Sequence, residues 1–349
     1  MPESLSAVAP DASRFVIVYD ATVAALYKSH MDPGWRRLNA PVVTLAIPSG
    51  ERHKTPKTLL SVIDFLLAEK IDRNAVVVGV GGGVTTDIAG AAAALALRGV
   101  RWVSVPTTLL GMVDASIGGK TGVNSSRGKN LIGAFWNPLG TLIAPAFVYT
   151  QSRRAFADGL AEALKHFAIA GEPSLRSLDA ALTGFPEIGD PELSSLIARA
   201  VCVKARIVTA DEREAGVRAH LNFGHTLGHA IERADNFRGV SHGRAVAAGI
   251  VGALWLSRQR GLAETPRLAS LERLAREIAG GGRVGVTAAQ ALEYLVADKK
   301  RRGGAAQFVL LREIGRPYLV PIADRRSLRR AMDEALAALA GPALVKRGN

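Results

Sequence analysis

Up to about residue 150 the sequence alternates short β-branched runs with stretches of helical periodicity, and this alternation constrains the fold more than any other feature. The runs are Phe15 to Tyr19, Val42 to Ile47, Ala75 to Val80, Trp102 to Val105 and Thr141 to Ile143. Leu59, Ile63, Phe65 and Leu66 have helical spacing between the second run and the third, and Ile88 to Leu97 fills the same role after the third. Apolar strands separated by helices make a parallel sheet covered on its faces, an α/β architecture that binds nucleotides at the carboxyl ends of its strands. Beyond residue 151, Ala, Leu, Arg and Glu with helical periodicity dominate, interrupted at Gly171-Glu172-Pro173, Gly189-Asp190-Pro191 and Gly280-Gly281-Gly282. A late exception, Gln307-Phe-Val-Leu-Leu311 followed by Tyr318-Leu-Val320, reads as a hairpin or a pair of short strands. The expectation is an α/β nucleotide-binding domain over 1–150 and a mainly α-helical domain over 151–349.

Composition narrows the function. With 48% hydrophobic and 21% charged residues in 349, the chain is neither disordered nor fibrous, and no repeat suggests a solenoid. The single cysteine, Cys202, excludes an internal disulfide framework or CxxC site and suits a reducing compartment. The opening residues MPESLSAVAPDAS read as a loose terminus and not as a signal peptide, and Ile88 to Leu97 falls short of the ~20 residues a membrane span needs. A cytoplasmic protein with no membrane partner is expected. The balance of 44 basic against 31 acidic residues, +13, suits a polyanionic ligand. Nucleic acid is not expected, because only 5% of residues are aromatic and no reader module is present. Arg325, Arg326, Arg329 and Arg330 read as a solvated helix face.

Two constellations carry chemistry. The strand ending at Val80 runs into Gly81-Gly82-Gly83 and an apolar helix, a turn where backbone amides and a helix N-terminus can meet a pyrophosphate. It is not GxGxxG, and Gly119-Lys120-Thr121 is not a P-loop, because Asp114 occupies the position of its first glycine. Gly118 to Gly133, which holds Lys120, Lys129 and Asn130, reads as a long functional loop. Farther on, Arg218, Asn222, His225 and His229 would form one polar stripe on a helix. The two histidines could share a divalent metal, or one could bind metal while the other faces substrate. His242 is a third, and Glu162 offers an acid with Lys165 one turn away. A Glu plus two His with an open position is a frequent catalytic zinc set.

Through these motifs the chain resembles the 3-dehydroquinate synthase branch of the sugar-phosphate cyclase family. The resemblance runs from about Asp20 to about Gly315 and rests on Gly81-Gly-Gly-Val-Thr-Thr-Asp87, the segment from Pro106 to Asn124, Lys129-Asn-Leu-Ile-Gly133, Gly159-Leu-Ala-Glu-Ala-Leu-Lys165, Leu221-Asn-Phe-Gly-His-Thr-Leu-Gly-His229 and Asp298-Lys-Lys300. It implies an NAD- and zinc-dependent lyase, with Co2+ as a substitute metal. The implied reaction converts 3-deoxy-arabino-heptulosonate 7-phosphate to 3-dehydroquinate and phosphate, by transient oxidation, phosphate elimination, re-reduction and intramolecular aldol closure. By motif position it implies Glu162, His225 and His242 as metal ligands. Asp20, Glu51, Lys54, Gly82, Gly83, Asp87, Thr107, Thr108, Lys120, Lys129 and Thr150 would contact NAD. Asp114, Lys120, Asn130, Lys165, Lys204, Arg218, Asn222, His229 and Lys300 would meet substrate, and Arg98 would reach a neighbour's substrate in a homodimer. His229, off the metal, suits proton transfer. The alternatives are a sister cyclase acting on another sugar phosphate, suggested by His166-Phe167 where many relatives have Tyr-Gly, and a metal-dependent polyol dehydrogenase.

Overall fold

The computed structural model describes the chain except residues 172–174, 185–188, 283, 303–305 and 343–349, and it describes only the backbone of 296–302. Two compact units divide it, Met1–Gln151 and Ser152–Asn349.

The first unit contains helix α1 (Pro2–Val8), strand β1 (Phe15–Asp20), α2 (Ala21–Trp35), β2 (Val42–Ile47), α3 (Pro56–Ala68), β3 (Val76–Gly81), α4 (Gly83–Leu95), β4 (Arg101–Pro106), β5 (Lys120–Ser125), β6 (Gly128–Phe135) and β7 (Gly140–Thr141). Its sheet is parallel, in the order β2-β1-β3-β4-β7. β1 and β3 are buried over nearly their whole length, which is why they read as unbroken apolar runs. Leu59, Val62 and Leu66 of α3 and Ile88 with Ala91 and Ala92 of α4 close one core. The strand order reverses between β1 and β3, which makes the carboxyl ends of these two strands the switch point where such sheets bind ligands.

Two expectations fail here. The opening residues are not loose: Pro2–Val8 is a helix that buries Leu5. Residues 118–133 are not a structureless loop, because β5 and β6 form an antiparallel hairpin with an irregularity between Val123 and Ser125. Its Gly, Ser and Asn content concealed the strands. Gly122 and Gly133 face each other so closely that a Cβ on Gly133 would stand 2.0 Å from the Thr121 carbonyl oxygen, so the glycines are what let the two backbones pair.

The second unit contains α5 (Arg153–Ala170), α6 (Arg176–Thr183), α7 (Pro191–Ala210), a 3-10 turn (Val217–Asn222), α8 (His225–Ala234), α9 (His242–Arg258), α10 (Pro266–Ala279), α11 (Ala288–Arg302), β8 (Ala306–Leu311), β9 (Pro317–Ile322) and α12 (Arg325–Leu339). The late strands pair as an antiparallel hairpin. Asp190, Thr265 and Asp324 accept backbone N–H groups at the starts of α7, α10 and α12, with Pro191 and Pro266 at the first helical position. The arginines of α12 lie on its exposed side. Helix α9 is buried along most of its length. Near its start, buried Arg244 donates to the carbonyl oxygens of Ala279 (2.7 Å) and Leu339 (3.1 Å), closing the C-terminal ends of α10 and α12. α5 ends at Gly171 in the left-handed conformation (φ +72°), and Gly315, in the turn between β8 and β9, donates its N–H to the Ala168 carbonyl oxygen at 2.8 Å. Among the described residues, no helix is long and apolar enough to cross a membrane.

Glycines also bring α8 against α9. A Cβ on Gly249 would lie 1.9 Å from the Gly224 carbonyl oxygen, and one on Gly228 would lie 2.9 Å from that of Ala245. Gly249→Ala should therefore lower stability to urea by about 1–3 kcal/mol through overpacking. Unchanged stability would mean that the two helices are free to separate.

Candidate metal centre and dinucleotide-binding edge

In the second unit, α5 carries Glu162 and Lys165 three residues apart, both buried and ion-paired. The predicted single stripe from Arg218 to His229 is broken. Arg218 and Asn222 belong to the 3-10 turn, Gly224 adopts φ +79°, and α8 begins at His225. A Cβ on Gly224 would meet Ile250 and the Val246 carbonyl at 2.7 and 2.8 Å, so the break is set by the packing of α9. Arg218 is buried, and its guanidinium donates to the Glu212 carbonyl oxygen. Asn222 donates to Glu214 at 2.9 Å. Lys204, on α7, is buried as well.

The imidazoles converge. His225 Nε2 lies 3.5 Å and His242 Nε2 3.3 Å from the same oxygen, Glu162 Oε1. Their other ring nitrogens face acceptors: His225 Nδ1 is 3.3 Å from the Phe223 carbonyl oxygen, and His242 Nδ1 is 3.3 Å from Glu232 Oε2. One ligand atom from each of Glu162, His225 and His242 falls within 4.8 Å of the others. Two donors at about 2.1 Å from a tetrahedral zinc stand about 3.4 Å apart, so both observed spacings fit a shared ion. A carboxylate and two neutral imidazoles leave such an ion a net positive charge and an open position. His225 is held neutral, its pKa lowered to about 3 by burial and by the Lys165 charge. Burial pulls His242 down too, but hydrogen bonds to Glu162 and Glu232 outweigh it and lift the group to about 10. His229 is exposed, with its ring 5.2 Å from that of His225.

In the first unit, Asp20 ends β1, and Gly81, Gly82 and Gly83 lead from β3 into α4, so they flank the switch point. Asp20 Oδ1 accepts from Thr22 N (2.8 Å) and Ser49 Oγ (2.6 Å). Thr107 donates its N–H to the Gly81 carbonyl oxygen at 2.9 Å, and Thr108 Oγ1 accepts from Gly111 N at 3.0 Å. Buried Lys54 joins Asp87 (2.5 Å) to Asn130 (2.6 Å). Asn124, which sequence reasoning did not single out, donates to Glu51 at 2.7 Å and accepts from Asn130 N at 2.8 Å. One network thus ties the hairpin to Glu51, Lys54 and Asp87. Thr150 pairs with Tyr27 at 2.9 Å. Asp114 is half-buried, Lys120 is exposed and Lys129 is half-buried on the hairpin, and Arg98 sits exposed in a turn with φ +64°. The Lys300 side chain is outside the described residues.

Residues 44–158 match the family model for the 3-dehydroquinate synthase N-terminal region, and residues 159–301 match that for its C-terminal region. The chain is 41% identical over 324 residues to the 3-dehydroquinate synthase of Salinibacter ruber (strain DSM 13855 / M31), covering 91% of this chain and 87% of that one. It is 42% identical over 308 residues to that of Pseudomonas fluorescens (strain SBW25), covering 86% and 82%.

The chain belongs to the 3-dehydroquinate synthase family.

Among solved structures, the 2-epi-5-epi-valiolone synthase from Streptomyces hygroscopicus subsp. jinggangensis 5008, with NAD+ and Zn2+ bound, is 30% identical with a TM-score of 0.85, covering 95% of this chain and 93% of that one. The α/β-plus-helical architecture expected from the sequence is therefore that of the sugar-phosphate cyclases. Glu232 and Asn124 escape the sequence because their partners lie elsewhere in the fold: that of Glu232 is His242 on the next helix, and those of Asn124 are Glu51 and the Asn130 backbone. Only the fold brings Glu232 under His242.

Lys54→Met should lower stability by about 1.5–3 kcal/mol, since it removes charge-assisted hydrogen bonds from a buried position. Denaturant titration measures this, and wild-type stability would show that the network is dispensable.

Proposed function

We propose that the chain is a 3-dehydroquinate synthase in activity, converting 3-deoxy-arabino-heptulosonate 7-phosphate to 3-dehydroquinate and phosphate with NAD and a divalent metal, zinc or cobalt. The observation that carries this reading is the convergence of two imidazole Nε2 atoms on one oxygen of buried Glu162, in a chain about two-fifths identical to enzymes of that name. When bound, the dinucleotide supplies a reversible hydride acceptor and the ion a Lewis acid for the hydroxyl being oxidised.

The rest falls to the chain. Glu162, His225 and His242 hold the ion. Asp20, Glu51, Lys54, Gly82, Gly83, Asp87, Thr107, Thr108, Lys120, Lys129 and Thr150 receive the dinucleotide, whose phosphates suit the N-terminus of α4. Lys165, Lys204 and Arg218 bind the anionic groups of the substrate. Arg218 can hold a carboxylate through two parallel N–H donors, and this favours an acid-bearing substrate over a neutral sugar phosphate. Asn222 orients a hydroxyl, and Asp114, Lys120, Asn130 and Lys300 complete the substrate contacts. His229 moves a proton at a ring nitrogen that the metal does not use. Exposed Arg98 acts on the neighbouring subunit's substrate in a homodimer. The overall reaction is redox-neutral, so NAD is needed only in catalytic amounts. We place the enzyme in the cytoplasm, where the exposed Cys202 stays reduced.

Purified enzyme given 3-deoxy-arabino-heptulosonate 7-phosphate, catalytic NAD and zinc should release phosphate and form dehydroquinate with no net NADH. Turnover of a different sugar phosphate instead would move the assignment to a sister cyclase, and NADH accumulating from a polyol would move it to a dehydrogenase. His229→Ala should lower kcat by about 10²–10⁴ while zinc content stays at the wild-type level. Loss of zinc from that variant would put His229 on the metal.

A further inference from the structure

Two possible ligand sets overlap in His242: Glu162 with His225, and His229 with Glu232. One imidazole cannot turn the same nitrogen to both. His242 aims Nε2 at Glu162 and Nδ1 at Glu232, each 3.3 Å away. The second histidine separates the sets. His225 also aims Nε2 at Glu162, and its Nδ1 faces the Phe223 carbonyl, a group that can only accept, so that ring carries its hydrogen on Nδ1. In the other set, His229 is exposed.

From this asymmetry we propose that Glu232 is a positioning residue of the metal centre. Its buried carboxylate accepts the Nδ1 hydrogen of His242 and thereby turns Nε2 toward the ion held with Glu162 and His225. A ligating histidine that donates its other N–H to a carboxylate has its tautomer and ring plane fixed, and its ligand basicity raised. The neighbouring backbone is fixed as well: Asp158, on the helix that carries Glu162, pairs with Ser241 at 2.7 Å. A Cβ on Gly243 would stand 2.3 Å from the Asp158 Cα. His242 is thus gripped through its ring by α8 and, through the residues on either side of it, by α5. The inference rests on the metal-centre reading above.

The test uses metal-stripped full-length protein reloaded with zinc, in competition with a chromophoric chelator, and with Co2+ for its visible spectrum. Glu232→Ala should bind zinc about 10–100-fold more weakly and alter the cobalt spectrum. Glu232→Gln, whose amide oxygen still accepts the Nδ1 hydrogen, should recover most of the loss. A folded Glu232→Ala protein with wild-type affinity and spectrum overturns the proposal. A Glu232→Gln protein that loses zinc as fully as Glu162→Gln also overturns it, by making Glu232 a ligand. Imidazole nitrogen shifts of the unsubstituted zinc-loaded protein decide the matter without a variant: a hydrogen on Nδ1 of His242 supports the assignment, and metal on Nδ1 refutes it. Retention of zinc by Glu162→Gln would instead bring down the metal-centre reading itself.

Discussion

A carboxylate with no solvent exposure, Glu162, stands among the helices of the second unit, and much of that unit is arranged around it. A buried ionised acid is costly unless positive or hydrogen-donating groups come to it. Here Lys165 comes from the same helix and His242 from α9, while His225 from α8 turns toward the carboxylate an Nε2 that carries no hydrogen and is paired only if an ion lies between the two. The close approach of α8 to α9, possible only because Gly224, Gly228 and Gly249 lack side chains, puts the last two within reach. Packing at those glycines and chemistry at the carboxylate are therefore one problem: a helix pair held farther apart would leave the charge buried without its partners.

The first unit solves a different problem with the same economy of side chains. A parallel sheet concentrates its strand ends, and the reversal of order between β1 and β3 opens a place where Asp20 and the glycines after β3 come to one edge. The hairpin adds what the sheet lacks. Through Asn124, Asn130 and Lys54 it attaches a Gly-rich, polar segment to the residues at that edge, so a displacement of the hairpin is felt at Glu51 and Asp87.

The sheet was legible in the sequence because its central strands are buried on both faces and made of β-branched residues, and the helices because apolar residues recur in them at helical spacing. The hairpin was not legible: its strands are defined by backbone pairing across glycines, which composition reports as loop. The helix break at Gly224 hid for a related reason, since a 4, 3, 4 spacing of polar residues looks continuous and only contact with Ile250 and Val246 enforces the left-handed residue. The ligand types Glu and His could be picked out by residue chemistry and motif. Their second partners, Glu232 and the Phe223 carbonyl, could not, because hydrogen bonds to the far side of an imidazole leave no trace in sequence spacing.

The grip of Arg244 on the carbonyls of Ala279 and Leu339, and of Gly315 on that of Ala168, has a consequence for biosynthesis. The helices bearing Glu162 and His242 are each fastened by backbone made long after those residues themselves. A nascent chain leaving the ribosome therefore carries Glu162, His225 and His242 before these fastenings exist. The fixed spacing of Glu162, His225 and His242 is thus a property of the finished helical unit and of no shorter piece of it.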